Sequence, residues 1–365
     1  MLAACLAHSS ELLAGQSNSP LGAALVTMGL LATPTFLLLS GVVCGYLSTT
    51  DSGGLSWAYR WRLIDRGLFL LLVGHLLLGL ILGTWYGVLA ALGHSLYITD
   101  AIGIGQIVAA FALQRVSKKN LFIGGVAIFV IATAVTVSIG VPHSHNTRYL
   151  MRLFLGLKEV DENDGGYMVP IIPYLGIFIV GLACGLEYGA RRVHGITMQQ
   201  IATVCIRAGL AFVGIALILK VAAVIVRPHL SLSLYPMLSI LTNVRQKLPP
   251  GIDYVLMFGG TGVFITGIIC HLSKYEYGRQ LVGTLAVLGR ASLVIFLIQF
   301  WLYYFPVKSL HAHPLSIAWF AIVLPLSWVA LWWVAWWWDR GNYNRFLTLG
   351  LRRFYSVSVS PVPGS

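Results

Sequence analysis

Acidic side chains are scarce in this chain: 12 Asp and Glu stand against 24 Lys and Arg in 365 residues. Charged residues of both signs make up only 10%, where a soluble domain carries about a quarter. That deficit excludes an ordinary water-soluble protein of this length. Cysteine is sparse too. Cys5, Cys44, Cys184, Cys205 and Cys270 lie far apart inside apolar runs, without CxxC or Cys/His metal spacing, and read as small packing residues. No internal repeat, glycine-rich phosphate loop or separate soluble domain occurs. The formal charge of +12 points to basic loops at a membrane face rather than to nucleic acid.

What is present is apolar length. Hydrophobic residues reach 58% and the mean hydropathy is +0.82. Runs of roughly 20 such residues cross a bilayer as helices, with every backbone polar group satisfied internally. The reading is an all-α, polytopic integral membrane helix bundle. Nine full spans are expected, at 21–47, 67–89, 99–115, 121–140, 169–187, 201–226, 254–272, 282–306 and 315–338. The third is the weakest, with Asp100 and Gln106 in a short apolar run. It is retained because every second connection is then basic, gathering 14 of the 24 Lys and Arg on one side. That side is expected to be cytoplasmic and to include the C-terminus. Residues 1–7, "MLAACLA", read as the outer half of a further helix whose inner half lies before Met1, which makes about ten. The expected organisation is a single transmembrane domain over 1–341 and a basic cytoplasmic tail over 342–365.

Ionisable side chains at membrane depth cost roughly 2.5–3.5 kcal/mol each on insertion scales, so they line cavities or pair. Arg290 falls near the middle of the 282–306 run and is a candidate buried cation, with a structural ion pair as the alternative. His75 lies at a similar depth in 67–89, where a lone neutral histidine hydrogen-bonded between helices is the favoured reading. His8 closes the N-terminal half-span at the expected outer boundary, followed within one turn by Glu11. A carboxylate there can orient the ring and raise its basicity, as a general base requires; a solvated boundary histidine is the plain alternative. His143, His145, His311 and His313 form two HxH pairs read as solvated loop, and no metal is expected.

Several stretches carry more design than an anchor needs. "TPTFLLLSGVVCGYL" (33–47) holds Pro34, Phe36, Ser40 and Gly41; "PYLGIFIVGLACG" (173–185) holds Gly176, Gly181 and Gly185. Pro249 and Pro250 precede a later helix, and "GRASL" (289–293) carries Arg290 and Ser292 ahead of Gln299. In this order, with "LAACLAH" ending at His8, they resemble the transmembrane acyltransferase superfamily. The resemblance is to its heparan-α-glucosaminide N-acetyltransferase-like branch, with the acyltransferase-3 and glucan-modifying succinyltransferase families more distant. It runs over nearly the whole chain. Two features depart: no Arg opens the first helix, and Gln299 stands where the late helix of the family often has a histidine.

The resemblance implies an acyl-CoA-dependent acyltransferase. It moves an acyl group, acetyl as the expected case, from cytoplasmic acyl-CoA to a hydroxyl or amine of an extracytoplasmic glycan or glycolipid. On that reading His8 is the base oriented by Glu11, and Arg290 or Gln299 stabilises the oxyanion. Arg60, Arg62, Arg66, Arg191 and Arg192 form a basic rim for the anionic donor, though each also serves as a topology signal. Ser40, Gly41, His75 and Ser292 are expected to line a channel. Expected partners are the lipid bilayer, acyl-CoA and a glycan, not nucleic acid, and a homodimer is compatible with this. The expected location is the plasma (inner) membrane. The alternative is a transporter or flippase without covalent chemistry, which would share the kinks and inward polar groups.

Overall fold

The computed structural model describes residues 2–9, 12, 20–50, 57–86, 95–139, 144–156, 169–229, 238, 241–245, 247–308 and 315–351. The chain is an all-α membrane helix bundle. Helices α1 (Leu2–Ser9) and α2 (Pro20–Gly29) precede α3 (Ala32–Thr50). α4 (Trp57–Phe69) continues through a π-helical turn, Leu70–Gly74, into α5 (His75–Tyr86). α6 (Ile98–Ala112), α7 (Lys118–Ile139), α8 (His145–Leu155), α9 (Ile171–Val193) and α10 (Met198–Val226) follow. A single turn at Ile252–Tyr254 and a second π-helical stretch, Val255–Gly259, lead into α11 (Gly260–Leu272). α12 (Glu276–Arg290), α13 (Ser292–Lys308) and α14 (Ile317–Arg340) complete the order.

Among the described residues seven helices are long and apolar enough to cross a membrane, or eight if one bent pair counts as a span. Three of the expected spans differ in instructive ways. The connection before 67–89 is itself helical, since the crossing helix runs Trp57–Ile81 and carries Arg60, Arg62 and Arg66 on its first turns. The weak third span is α6, only 15 residues or about 22 Å long. It nevertheless runs antiparallel to the α4–α5 helix along its whole length: Asp100 meets His75, Gly103 meets Gly67, and Arg60 Nε donates to the Ala110 carbonyl at 2.9 Å.

The expected span 282–306 is broken. α12 and α13 meet at Ala291 with a bend of 75°. The break brings Arg290 to the last turn of α14, where Nε and one terminal nitrogen donate to the two oxygens of Asp339 at 2.6 and 2.7 Å. A continuous helix would have carried the guanidinium toward mid-membrane. The bend avoids that cost by pairing the guanidinium with a carboxylate at the end of α14.

The spine of the bundle is the pair α3–α9. On α3, Gly41 and Gly45 lie against the Phe178 and Leu182 carbonyls of α9; on α9, Gly181 and Gly185 lie against the Leu38 and Val42 carbonyls of α3. A Cβ on Gly45 would fall 2.7 Å from Leu186 N, and one on Gly185 2.9 Å from Tyr46 N. Such backbone approach is how small residues hold helices together in lipid, where apolar burial drives nothing. Because α9 runs parallel to α3, with Gly181 against Leu38, Gly185 against Val42 and Gly189 against Tyr46 and Thr49, one end of the bundle collects the end of α3, the start of α4 and the end of α9. Arg290 lies at this end too, bordering the same cavity as Leu47 and Arg62, with Asp339 bonded to it. This is the basic end.

The first ten residues of the expected tail, 342–351, are held against the helices. Trp338 Nε1 donates to Asn344 Oδ1 at 2.9 Å, and the Leu349 backbone N–H donates to Asp65 Oδ1, also at 2.9 Å. Residues 342–351 therefore cross from α14 back to α4 as part of the body; 352–365 lie outside the described residues.

Candidate active site

A cavity of about 650 Å³ opens at the basic end between α3, α4, α6, α12 and α13. Its mouth is set by Arg62 and Arg66 of α4, Arg290 of α12, and Asn344 and Leu347 of the returning C-terminal segment. On α3 the wall runs from Leu47 up to Phe36, eleven residues or about 16 Å. On the opposite side stand Ser292, Leu293 and Phe296 at the start of α13, and Thr99, Ile102 and Gln106 of α6. The walls are mainly apolar and the mouth is cationic.

Phe296, in the cavity wall, also packs against His8. The imidazole packs on three rings of α13, with centroids 6.4 Å from Phe296, 4.5 Å from Phe300 and 5.2 Å from Tyr304. Phe296 belongs both to this cage and to the cavity wall. His8 Nδ1 is buried without a hydrogen-bond partner among the described residues. The ring lies opposite the ninth residue of α13, about 12 Å above the start of that helix. Helix α1, which carries it, packs against α2, α3 and α13. Glu11, expected to orient the ring, lies outside the described residues. Gln299, on the same helix, is fully buried, and neither amide atom has a partner among the described residues.

The other expected site residues divide cleanly. Arg62 and Arg66 line the mouth; Ser40 and Ser292 line the cavity, the Ser40 hydroxyl donating to the Phe36 carbonyl at 2.7 Å. Arg290 is at the mouth, not at mid-depth, so it stands beside Arg62 and Arg66 and away from His8. Arg60 bridges α4 to α6, and Gly41 faces α9 instead of the cavity. Arg191 pairs with Glu187 at 2.6 Å, a carboxylate that also holds Lys118, and Arg192 bonds the Ile196 carbonyl at 3.3 Å. These two close the end of α9 and take no part in the cavity. No group of three or more potential metal ligands occurs among the described residues.

The carboxylate-held histidine of the described structure is His75. Its Nδ1 lies 2.8 Å from Asp100 Oδ2, which also accepts from the Tyr97 backbone N–H at 2.8 Å. Asp100 is 1% exposed. The π-helical turn directly before His75 inserts an extra residue and rotates the ring toward α6. Periodicity along the sequence assumes a regular helix, so it gave no signal of this pairing. Removing the imidazole leaves a buried carboxylate held by one N–H. His75→Ala is therefore expected to cost about 3 kcal/mol of stability, and the double variant with Asp100→Asn to recover part of it; thermal unfolding in detergent checks both.

A model of the family described as "Heparan-alpha-glucosaminide N-acetyltransferase, catalytic" matches residues 11–218, more than half of the chain. The matched stretch contains the cavity walls from α3, α4 and α6 and the α3–α9 spine, while His8 and α13 lie outside it. No curated protein and no solved structure matches.

Proposed function

The chain belongs to the heparan-alpha-glucosaminide N-acetyltransferase catalytic family, a family of membrane acetyltransferases acting on glycans, and from that premise we propose how this chain carries out the transfer. Acetyl-CoA is the donor and enters from the basic end, which faces the cytoplasm. Its phosphates meet Arg62, Arg66 and Arg290 at the mouth, where exposed guanidinium groups match anionic oxygens in charge and geometry. The slender acylated arm then threads between α3 and α13, past Ser40 and Ser292, until the thioester lies by Phe296. The acceptor, an amine or hydroxyl of a glycan or glycolipid, approaches from the external side.

In the chemical step the acceptor nitrogen or oxygen attacks the thioester carbon and its proton passes to His8. The carbon–oxygen double bond becomes an oxyanion, for which the buried Gln299 amide N–H of α13, unpartnered among the described residues, is the candidate donor. Collapse expels the thiolate, which takes up a proton and leaves as CoA. Donors aimed at a developing charge in a dry site contribute a few kcal/mol each. Arg290, engaged with Asp339 at the mouth, belongs to donor binding instead.

The observation that supports this reading is the single cavity joining Arg62, Arg66 and Arg290 to Phe296, whose ring touches His8. The family match favours group transfer over a transporter, and the test separates them. Purified protein given acetyl-CoA and a glucosamine-ended acceptor is expected to release free CoA thiol; a transporter releases none. Changing Arg62 and Arg66 together to glutamine is expected to raise KM for acetyl-CoA at least about tenfold with kcat little altered, since one charge-assisted contact is worth roughly 1.5–3 kcal/mol. An unchanged KM removes the phosphates from this mouth.

A further inference from the structure

Within the cavity, α6 contributes two polar side chains to a wall that is otherwise mostly apolar. Thr99 and Gln106 are seven residues apart, two turns on one face of the helix and about 10 Å along its axis. Both lack partners. Thr99 is 2% exposed and its hydroxyl oxygen has no hydrogen bond among the described residues; the Gln106 side-chain oxygen is likewise buried and unpartnered. Helix α6 gains nothing from either group in the empty protein, because a buried polar atom left unpaired is less stable than an apolar one of the same shape. Facing them across the cavity are Phe36, Leu39 and Val43 of α3, which offer no side-chain hydrogen bond.

A ligand completes the set. The donor's arm between its phosphates and its thioester carries two secondary amides and a hydroxyl, spaced along a flexible chain. Drawn into a cavity at bilayer depth, those amides lose water and need partners within the protein. We propose that Thr99 and Gln106 are the groups that receive the amide-bearing arm, so that the cavity selects thioesters by the amides in their stem and not by the acyl group alone. The inference rests on the reading that this cavity holds the donor. Gln106 can both donate to an amide carbonyl and accept from an amide N–H; the Thr99 hydroxyl, deeper and nearer Phe296, can do either by rotation. A site built to pair a substrate's polar group discriminates strongly against an analogue lacking it, since its own groups are then left unsatisfied.

Three donors test this: acetyl-CoA, S-acetylpantetheine, and an S-acetyl alkanethiol of matching length without amides. Wild-type protein is expected to use the first two with a kcat/KM at least about a hundredfold above the third. Gln106→Leu is expected to lower kcat/KM about tenfold or more for both amide-bearing donors, mainly through KM, and to leave the alkyl thioester unchanged. Equal loss on all three donors, or no loss on any, overturns the proposal. Thr99→Val guards against misfolding. Replacing an unpartnered buried hydroxyl by a methyl is expected to keep or raise the thermal midpoint of the free protein, while the added stabilisation from CoA shrinks. A full CoA shift in Thr99→Val and in Gln106→Leu also sinks the idea. Should wild-type protein show neither thiol release nor any shift with CoA, it is the donor assignment that fails.

Discussion

His8→Ala is expected to leave the protein folded and inserted while lowering acetyl transfer about 10²–10⁴-fold, the range in which a positioned acid–base group contributes. The ring is enclosed by Phe296, Phe300 and Tyr304, with Nδ1 buried and unpartnered among the described residues. Nothing in that cage holds the helix in place through His8. Loss of the imidazole therefore opens a small void and removes no hydrogen bond described here. His8→Gln, which keeps most of the volume, is expected to match the alanine variant in activity and the parent in thermal midpoint. Product formation from labelled acetyl-CoA reads the first outcome, and unfolding in detergent the second. Transfer within threefold of the parent in either variant rules out His8 as the proton acceptor, and the cavity would then have to deliver its thioester elsewhere.

The second large effect falls on the fold. Gly185→Val puts branched carbons against the Val42 carbonyl and the Tyr46 nitrogen of α3, and neither backbone can withdraw without separating α3 from α9. The expected cost is about 4 kcal/mol or more, in the range reserved for overpacking and broken backbone contact, and the variant should fail to accumulate as a monodisperse species in detergent. Gly124→Val is the control. That glycine sits on α7 with nothing within reach of a Cβ, so the same change there is expected to fall within about 1 kcal/mol of the parent. If both variants behave alike, close α3–α9 packing is not what holds the bundle.

Part of the cavity lining was legible because each signal was local. Arg62 and Arg66 announced themselves as cations at the start of a greasy helix, Ser40 and Ser292 as small polar residues within one. Gly41 and Gly185 carry the same signature as a channel lining, a missing Cβ, and sequence alone does not say whether lipid, substrate or another helix fills the gap. Here it is another helix. Arg290 shows a different limit. A 25-residue apolar run with one arginine reads as a single span until a carboxylate 49 residues later proves to be in reach. The His75–Asp100 pair depended on a π-helical turn, and Gln106 was read only as a blemish in a weak span.

The amino-acid sequence determined by itself that this protein lives in a membrane, that it is helical, which end of the bundle is basic and to which family it is related. Those properties follow from the cost of exposing backbone and charge to hydrocarbon, a cost paid residue by residue and so written along the chain. Which helices touch, where a long apolar run breaks, and which polar groups share one cavity were decided only in three dimensions. The energies there belong to pairs of residues far apart in the chain, such as Arg290 with Asp339 or Gly185 with Val42, and no single position records them.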